Sequence, residues 1–174
     1  MITIFCAWGT ISNIDSFVQK LLEFSKEENL VVQAFDATAI YNIDHLISAS
    51  AHAKRAFDQG TNATNSLALE ILLYAAGERQ IQKAIKKIGV RKGKQRIAFL
   101  FTDEKNQKRN RHPDDIIIKR LLHTFHLTLD NTVLQGDRTT LKRFGITTQE
   151  LSTIPEGKYG DLILEKIALV DVIK

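Results

Sequence analysis

The sequence predicts an α/β protein: one compact domain, residues 1–174, with a mixed sheet packed against a helical bundle. Three observations lead there. Residues 2–35 read strand, helix, strand. Residues 65–89 (NSLALEILLYAAGERQIQKAIKKIG) read as two tandem helices of opposite character. Residues 96–102 (RIAFLFT) return to a strand. A chain of 174 residues is long enough to bury a sizeable core as one domain. Its apolar and charged fractions, 44% and 25%, exclude a disordered chain, and no repeat, low-complexity tract or linker divides it.

Each element has a local reason. Residues 2–8 are apolar and bounded by Gly9, as a buried strand is. Ser12 and Asp15 suggest a capping box, after which Ile14, Phe17, Val18, Leu21 and Leu22 form a helical stripe closed by Asn29. Residues 30–35 are again strand-like. Asn42 is placed to cap a helix over residues 43–57, rich in Ala49, Ala51, Ala53 and Ala56, with Leu46, Ile47 and Phe57 as anchors. Small residues let a neighbour approach closely, so this helix should pack on the next one, after a turn at residues 60–64. That next helix, residues 65–76, is apolar nearly all round, and such a helix is buried on several sides or lends one to a partner. Over residues 78–88, Ile81, Ala84, Ile85 and Ile88 make a clean stripe, with Gly89 where a left-handed cap would sit. Pro113 suits the first position of a helix running through Ile117, Ile118, Leu121, Leu122 and Phe125. Thr147 and Glu150 form a second capping-box pattern, and residues 161–173 fit a helix slightly better than a strand.

Composition also bounds the setting. No apolar run approaches the roughly 20 residues of a membrane span. The first residues lack a basic segment and a cleavage site, so no signal peptide is expected and the Asn62-Ala63-Thr64 sequon should go unused. The single cysteine, Cys6, fits a reduced, cytoplasmic location and a core position. The net charge of +4 is unevenly spread: Lys83, Lys86, Lys87, Arg91, Lys92, Lys94, Arg96, Lys105, Lys108, Arg109 and Arg111 face only Asp103 and Glu104 between them. Such bias is either the footprint of a polyanion or a solvated face.

Signatures of chemistry are missing. There is no phosphate loop, dinucleotide fingerprint, nucleophile elbow or kinase signature, and no cysteine pair for zinc. His123 and His126 stand three apart without an evident third ligand. His45 and His52 lie two turns apart, where a polar contact between helices or at a partner surface outweighs base catalysis. Glu70, the one acid on its apolar helix, should reach solvent or pair with Arg55 or Arg79, or else anchor a partner's cation. Asn65 reads most simply as a capping or first-turn residue.

A longer pattern is more specific. His45, Leu46, Ala49, Ala51, Ala53, Arg55 and Ala56 precede Asn65, Glu70, Ile71 and Leu72, and then Gly77, Arg79, Gln80, Ile81, Ala84, Ile85 and Gly89. This block, about a quarter of the chain, resembles the small regulatory subunit of the KEOPS complex, the family of the PRPK-binding protein. The resemblance implies a KEOPS small-subunit-like domain over residues 1–174, a non-catalytic accessory role in tRNA threonylcarbamoyladenosine (t6A37) synthesis, and no cofactor or metal. It implies two partners: the PRPK-type atypical kinase/ATPase, which it would bind and stimulate, and tRNA, recruited through its 3′ CCA end.

The expected tRNA-binding residues are Lys54, Arg55 and Arg79, with Asn65 and Leu69 toward the bases and Lys83, Lys86 and Lys87 attracting phosphates. Basic groups track phosphates while apolar or planar groups meet unpaired bases. The expected kinase contacts are Ile163, Ile167 and Val170, with apolar residues of the helical bundle. Two rival readings remain. One is an interaction module without RNA binding, and the other a small hydrolase or transferase using Glu70 or the His45/His52 pair.

Overall fold

Strand β1 (Ile2–Ile11) lies between β3 (Gly93–Thr102) and β4 (Thr128–Asp130), and β2 (Val31–Asp36) completes a sheet ordered β2-β3-β1-β4. Every pairing is antiparallel: Ile2 faces Thr102 and Ile11 faces Gly93, Val31 faces Thr102, and Cys6 faces Asp130. Strands β1 and β2 therefore run the same way without touching, because β3 lies between them. The α/β class holds, and the expected mixed sheet is antiparallel throughout. Apolar runs mark strands but carry no information about direction. The computed structural model describes residues 2–104 and 115–173. The expected first-position Pro113 and the basic stretch from Lys105 to Arg111 lie outside them.

The chain divides into two compact units, residues 1–37 with 90–132 and residues 38–89 with 133–174. In the first, alternate strand residues make one face: Ala7 and Ile11, Val32 and Ala34, Ile97, Phe99 and Phe101. Against it pack Phe17, Leu21 and Phe24 of α1 (Ile14–Glu28) and Leu121 of α5 (Asp115–Thr124). Phe5 stacks on Phe99 at 5.2 Å and meets Phe101 edge-on at 5.1 Å. Asn13, not Ser12, caps α1 by accepting from the Ser16 N–H at 2.8 Å, and Asn29 closes it in the left-handed region. Cys6 is buried, which pushes its thiol pKa up.

The second unit is helical: α2 (Ile43–Gln59), α3 (Leu67–Ala76), α4 (Ile81–Ile88), α6 (Arg138–Arg143), α7 (Thr148–Ser152) and α8 (Tyr159–Ala168), with a 3-10 turn at Leu169–Asp171. Ala49, Ala53 and Ala56 are buried on α2, and α3 buries everything from Glu70 to Ala76. Burying a leucine or isoleucine contributes about 1.5–3 kcal/mol, so Ile71, Leu72 and Leu73 are central to this unit. The ambiguous C-terminal segment is helical, as its spacing favoured. Gly89 is extended, with φ of −69°, and makes no left-handed cap. Its would-be Cβ lies 2.5 Å from the Ile85 carbonyl oxygen, so close approach is what the glycine permits there.

Candidate partner-binding face

The second unit is built on the α2–α3 hairpin. Asn42 starts α2 by accepting from the His45 N–H at 2.9 Å, as expected. Ser66, rather than Asn65, caps α3. His45 is fully buried; its Nδ1 accepts from the Tyr41 N–H at 3.1 Å, and its Nε2–H donates to the Ala75 carbonyl at 2.7 Å. The start of α2 thus meets the end of α3, and the helices run antiparallel. Burial lowers the His45 pKa to about 4, with the nearby Lys87 charge pushing the same way against the Ala75 bond. The imidazole is a neutral brace with both nitrogens occupied.

Glu70 is also buried, and neither solvent nor an arginine receives it. Its carboxylate accepts from the Ala63 N–H at 3.1 Å and from the Thr64 N–H and hydroxyl, each at 2.9 Å. The Thr64 hydroxyl also lies 3.0 Å from the Ser66 carbonyl. The acid therefore closes the turn between α2 and α3. Charge-assisted bonds of this kind are the strong ones.

His52 does not join His45. Its Nδ1 lies 3.3 Å from Asp171 and its ring stacks on Tyr74, whose hydroxyl donates to the same carboxylate. Burial, then the Asp171 bond, pushes the Tyr74 pKa up. This cluster fastens the C-terminal 3-10 turn to α2 and α3. The polar contact between helices expected of these histidines is what they make. Among the described residues no three His, Cys, Asp or Glu side chains gather as a metal site.

The expected tRNA residues fall into two groups. Half-buried Lys54 and exposed Arg55, near the end of α2, lie toward the same end of the hairpin as exposed Asn65 and half-buried Leu69. Arg79 follows the far end of α3, a ten-residue helix spanning roughly 15 Å. On α4, Lys83 and Lys86 are exposed. Lys87 is engaged: its Nζ lies 3.1 Å from Glu78 and 4.6 Å above the Phe144 ring. It serves the fold first and is a poor phosphate hook.

The expected kinase contacts Ile163, Ile167 and Val170 are core residues, each 1% exposed or less, and cannot present their side chains to a partner. Their helical spacing marked the apolar stripe, and that stripe faces inward. The same segment exposes Leu169, Val172 and Ile173, the last two at 74% and 54%. Ile43 and Ile47 of α2 and Ile81 and Ile85 of α4 are also exposed. Their spacing of four resembles a core stripe, so periodicity alone could not have singled them out.

An antiparallel sheet unit, and a helical unit showing apolar and basic side chains, define a small α/β protein. The family is specific: the family model described as kinase binding protein CGI-121 matches residues 9–171, and the chain belongs to that family. No curated protein matches the chain. Among the described residues no helix is long and apolar enough to cross a membrane.

Proposed function

We propose that this chain is a non-catalytic accessory subunit of the KEOPS complex in t6A37 synthesis. It binds and stimulates the PRPK-type kinase/ATPase and helps recruit tRNA through the 3′ CCA end, in the cytoplasm. The observation that carries the reading is membership, over residues 9–171, of a family whose printed description is a kinase binding protein. Two features support it. The acids and imidazoles an enzyme reading would use, Glu70, His45 and His52, are each engaged in holding the helical unit together. Exposed basic and apolar groups lie on α2 to α4, the chemistry that single-stranded RNA binding uses.

For the kinase we assign the contact on the C-terminal segment to Leu169, Val172 and Ile173 instead of their buried neighbours. Large apolar side chains dominate docking when they fill a partner's pocket. Val172→Asp should abolish co-purification with the kinase while the chain stays folded by circular dichroism. Ile167→Asp should instead unfold it. Retained kinase binding in Val172→Asp would remove this segment from the interface.

RNA recruitment is tested with full-length tRNA and the same tRNA lacking its 3′ CCA, across a salt series. Loss on truncation supports a pocket for the single-stranded end. Equal, steeply salt-dependent binding reduces the role to phosphate attraction. No binding leaves the interaction-module reading.

A further inference from the structure

A notch in the sheet unit carries chemistry that the proposed role does not use. Strand β4 meets β1 only from Cys6 to Trp8, whereas β1 continues to Ile11. The edge of β1 beyond Trp8 is therefore uncovered by β4. There Trp8, Gly9, Thr10, Lys94, His126 and Thr128 line a cavity of about 590 Å³. That is within the roughly 300–1,000 Å³ of small-ligand sites.

The register places the side chains. Thr10 faces Lys94 and Trp8 faces Thr128 across the pairings, and directly opposed residues project from the same face. Trp8 and Thr10 are two apart on one strand, so the indole, both hydroxyls and the Lys94 ammonium share that face. Trp8 is 46% exposed, an unusual amount for so large an apolar side chain. Gly9 borders the cavity between Trp8 and Thr10, and a Cβ on it would point to the other, core side of the strand, 2.2 Å from Leu127 Cδ2. His126, two residues past α5, is in the left-handed region at φ of 53° and borders the cavity.

The charge of the lining has one sign. Lys94 contributes an ammonium and His126 an imidazole, and among the described residues no carboxylate lines the cavity. Asp130, the acid on the neighbouring strand, is held by Arg96 and by the Thr132 N–H and hydroxyl. An indole beside a lysine and two hydroxyls matches a planar aromatic ligand bearing an anion.

We propose that this notch binds a nucleotide, with the base against the Trp8 indole, the phosphate beside Lys94, and Thr10 and Thr128 bonding the sugar or phosphate. Base–aromatic stacking tolerates any base, so the site selects for a nucleotide rather than a sequence. None of its residues belongs to the α2–α4 set proposed for tRNA, and the two sites can fail separately.

Trp8 is the chain's one tryptophan, so its emission reports on the cavity alone. The full chain is titrated with AMP and CMP, the corresponding nucleosides, inorganic phosphate, and a short single-stranded oligonucleotide. Saturable quenching is expected with nucleotides, weaker quenching with nucleosides and none with phosphate. Lys94→Gln should weaken nucleotide binding about tenfold at low salt. Trp8→Leu, checked for folding by circular dichroism, should abolish binding in calorimetry. Quenching by the oligonucleotide but not by mononucleotides would assign the occupant to an RNA strand. Quenching by neither, or quenching unchanged in Lys94→Gln, overturns the proposal. A Lys83→Gln/Lys86→Gln chain that loses tRNA affinity yet keeps the Trp8 response separates this site from the recruiting face.

Discussion

Glu70 works by holding a turn. Its carboxylate takes two backbone N–H groups and a hydroxyl from residues six and seven positions earlier in the chain. Glu70→Gln keeps the shape but sets an amide NH₂ where donors converge, leaving at least one group unsatisfied. Hydrogen bonds to a charged group contribute about 1.5–3 kcal/mol, so the variant should lose roughly 2 kcal/mol in urea denaturation, with faster amide exchange at Ala63 and Thr64. Unchanged stability would show that the clasp is dispensable. His45 gives a pH signature of definite sign. Its folded pKa of about 4 lies below the ordinary 6.5, so between these values the unfolded chain binds the proton more readily. Stability contributed by the neutral brace is present above pH 6.5 and lost as pH falls toward 4, amounting to roughly 3 kcal/mol. Wild type should therefore lose stability more steeply over that window than His45→Gln, and parallel curves would remove the effect. Glu70 stood out in the sequence as the one acid on an apolar helix, and His45 as one of two histidines two turns apart. Their partners did not, because backbone N–H and carbonyl groups leave no residue-type signal.

Helices α1 and α4 were legible because each has a stripe at helical spacing, and α2 because Asn42 opens a run rich in small residues. Strand β4 and helix α6 were not, since three and six residues are too few for a period to show. The Ser12 reading missed by one position because Asn13, another good cap, stands beside it. Helix α2 illustrates how small residues serve packing. Ala49, Ala53 and Ala56 lie on its buried side with Ser50, whose hydroxyl has no hydrogen-bond partner among the described residues. An unsatisfied buried hydroxyl costs about 1–3 kcal/mol, and alanine is the better helix former. Ser50→Ala should raise stability by about 1 kcal/mol, visible as a higher urea midpoint with an unchanged slope. A loss of stability would mean that the hydroxyl has a partner, such as a trapped water.

Across the whole chain, net charge says less than the occupation of each charge. The stretch from Lys83 to Arg96 reads as a run of equivalent cations, yet Lys87 meets Glu78, Arg91 lies 3.8 Å from Asp36, and Arg96 pairs with Asp130. The sequence marked a basic stretch but could not rank its members, since acids that pair with them come from distant segments. A similar blindness placed Ile163, Ile167 and Val170 on a docking surface: spacing identifies a stripe without saying which way it faces. The ranking has a measurable consequence under the proposed tRNA role. Each phosphate contact removed lowers the slope of log affinity against log salt by about one unit. Lys83→Gln/Lys86→Gln should thus weaken tRNA binding, cut the slope by about two and leave the thermal midpoint unchanged, because both side chains are exposed. Lys87→Gln should lower the midpoint and barely alter the slope, because its ammonium already serves Glu78 and the Phe144 ring. Equal slopes for both lysine variants and wild type would reassign α4 to a solvated face. A large slope change from Lys87→Gln alone would mean that RNA displaces Glu78 on binding.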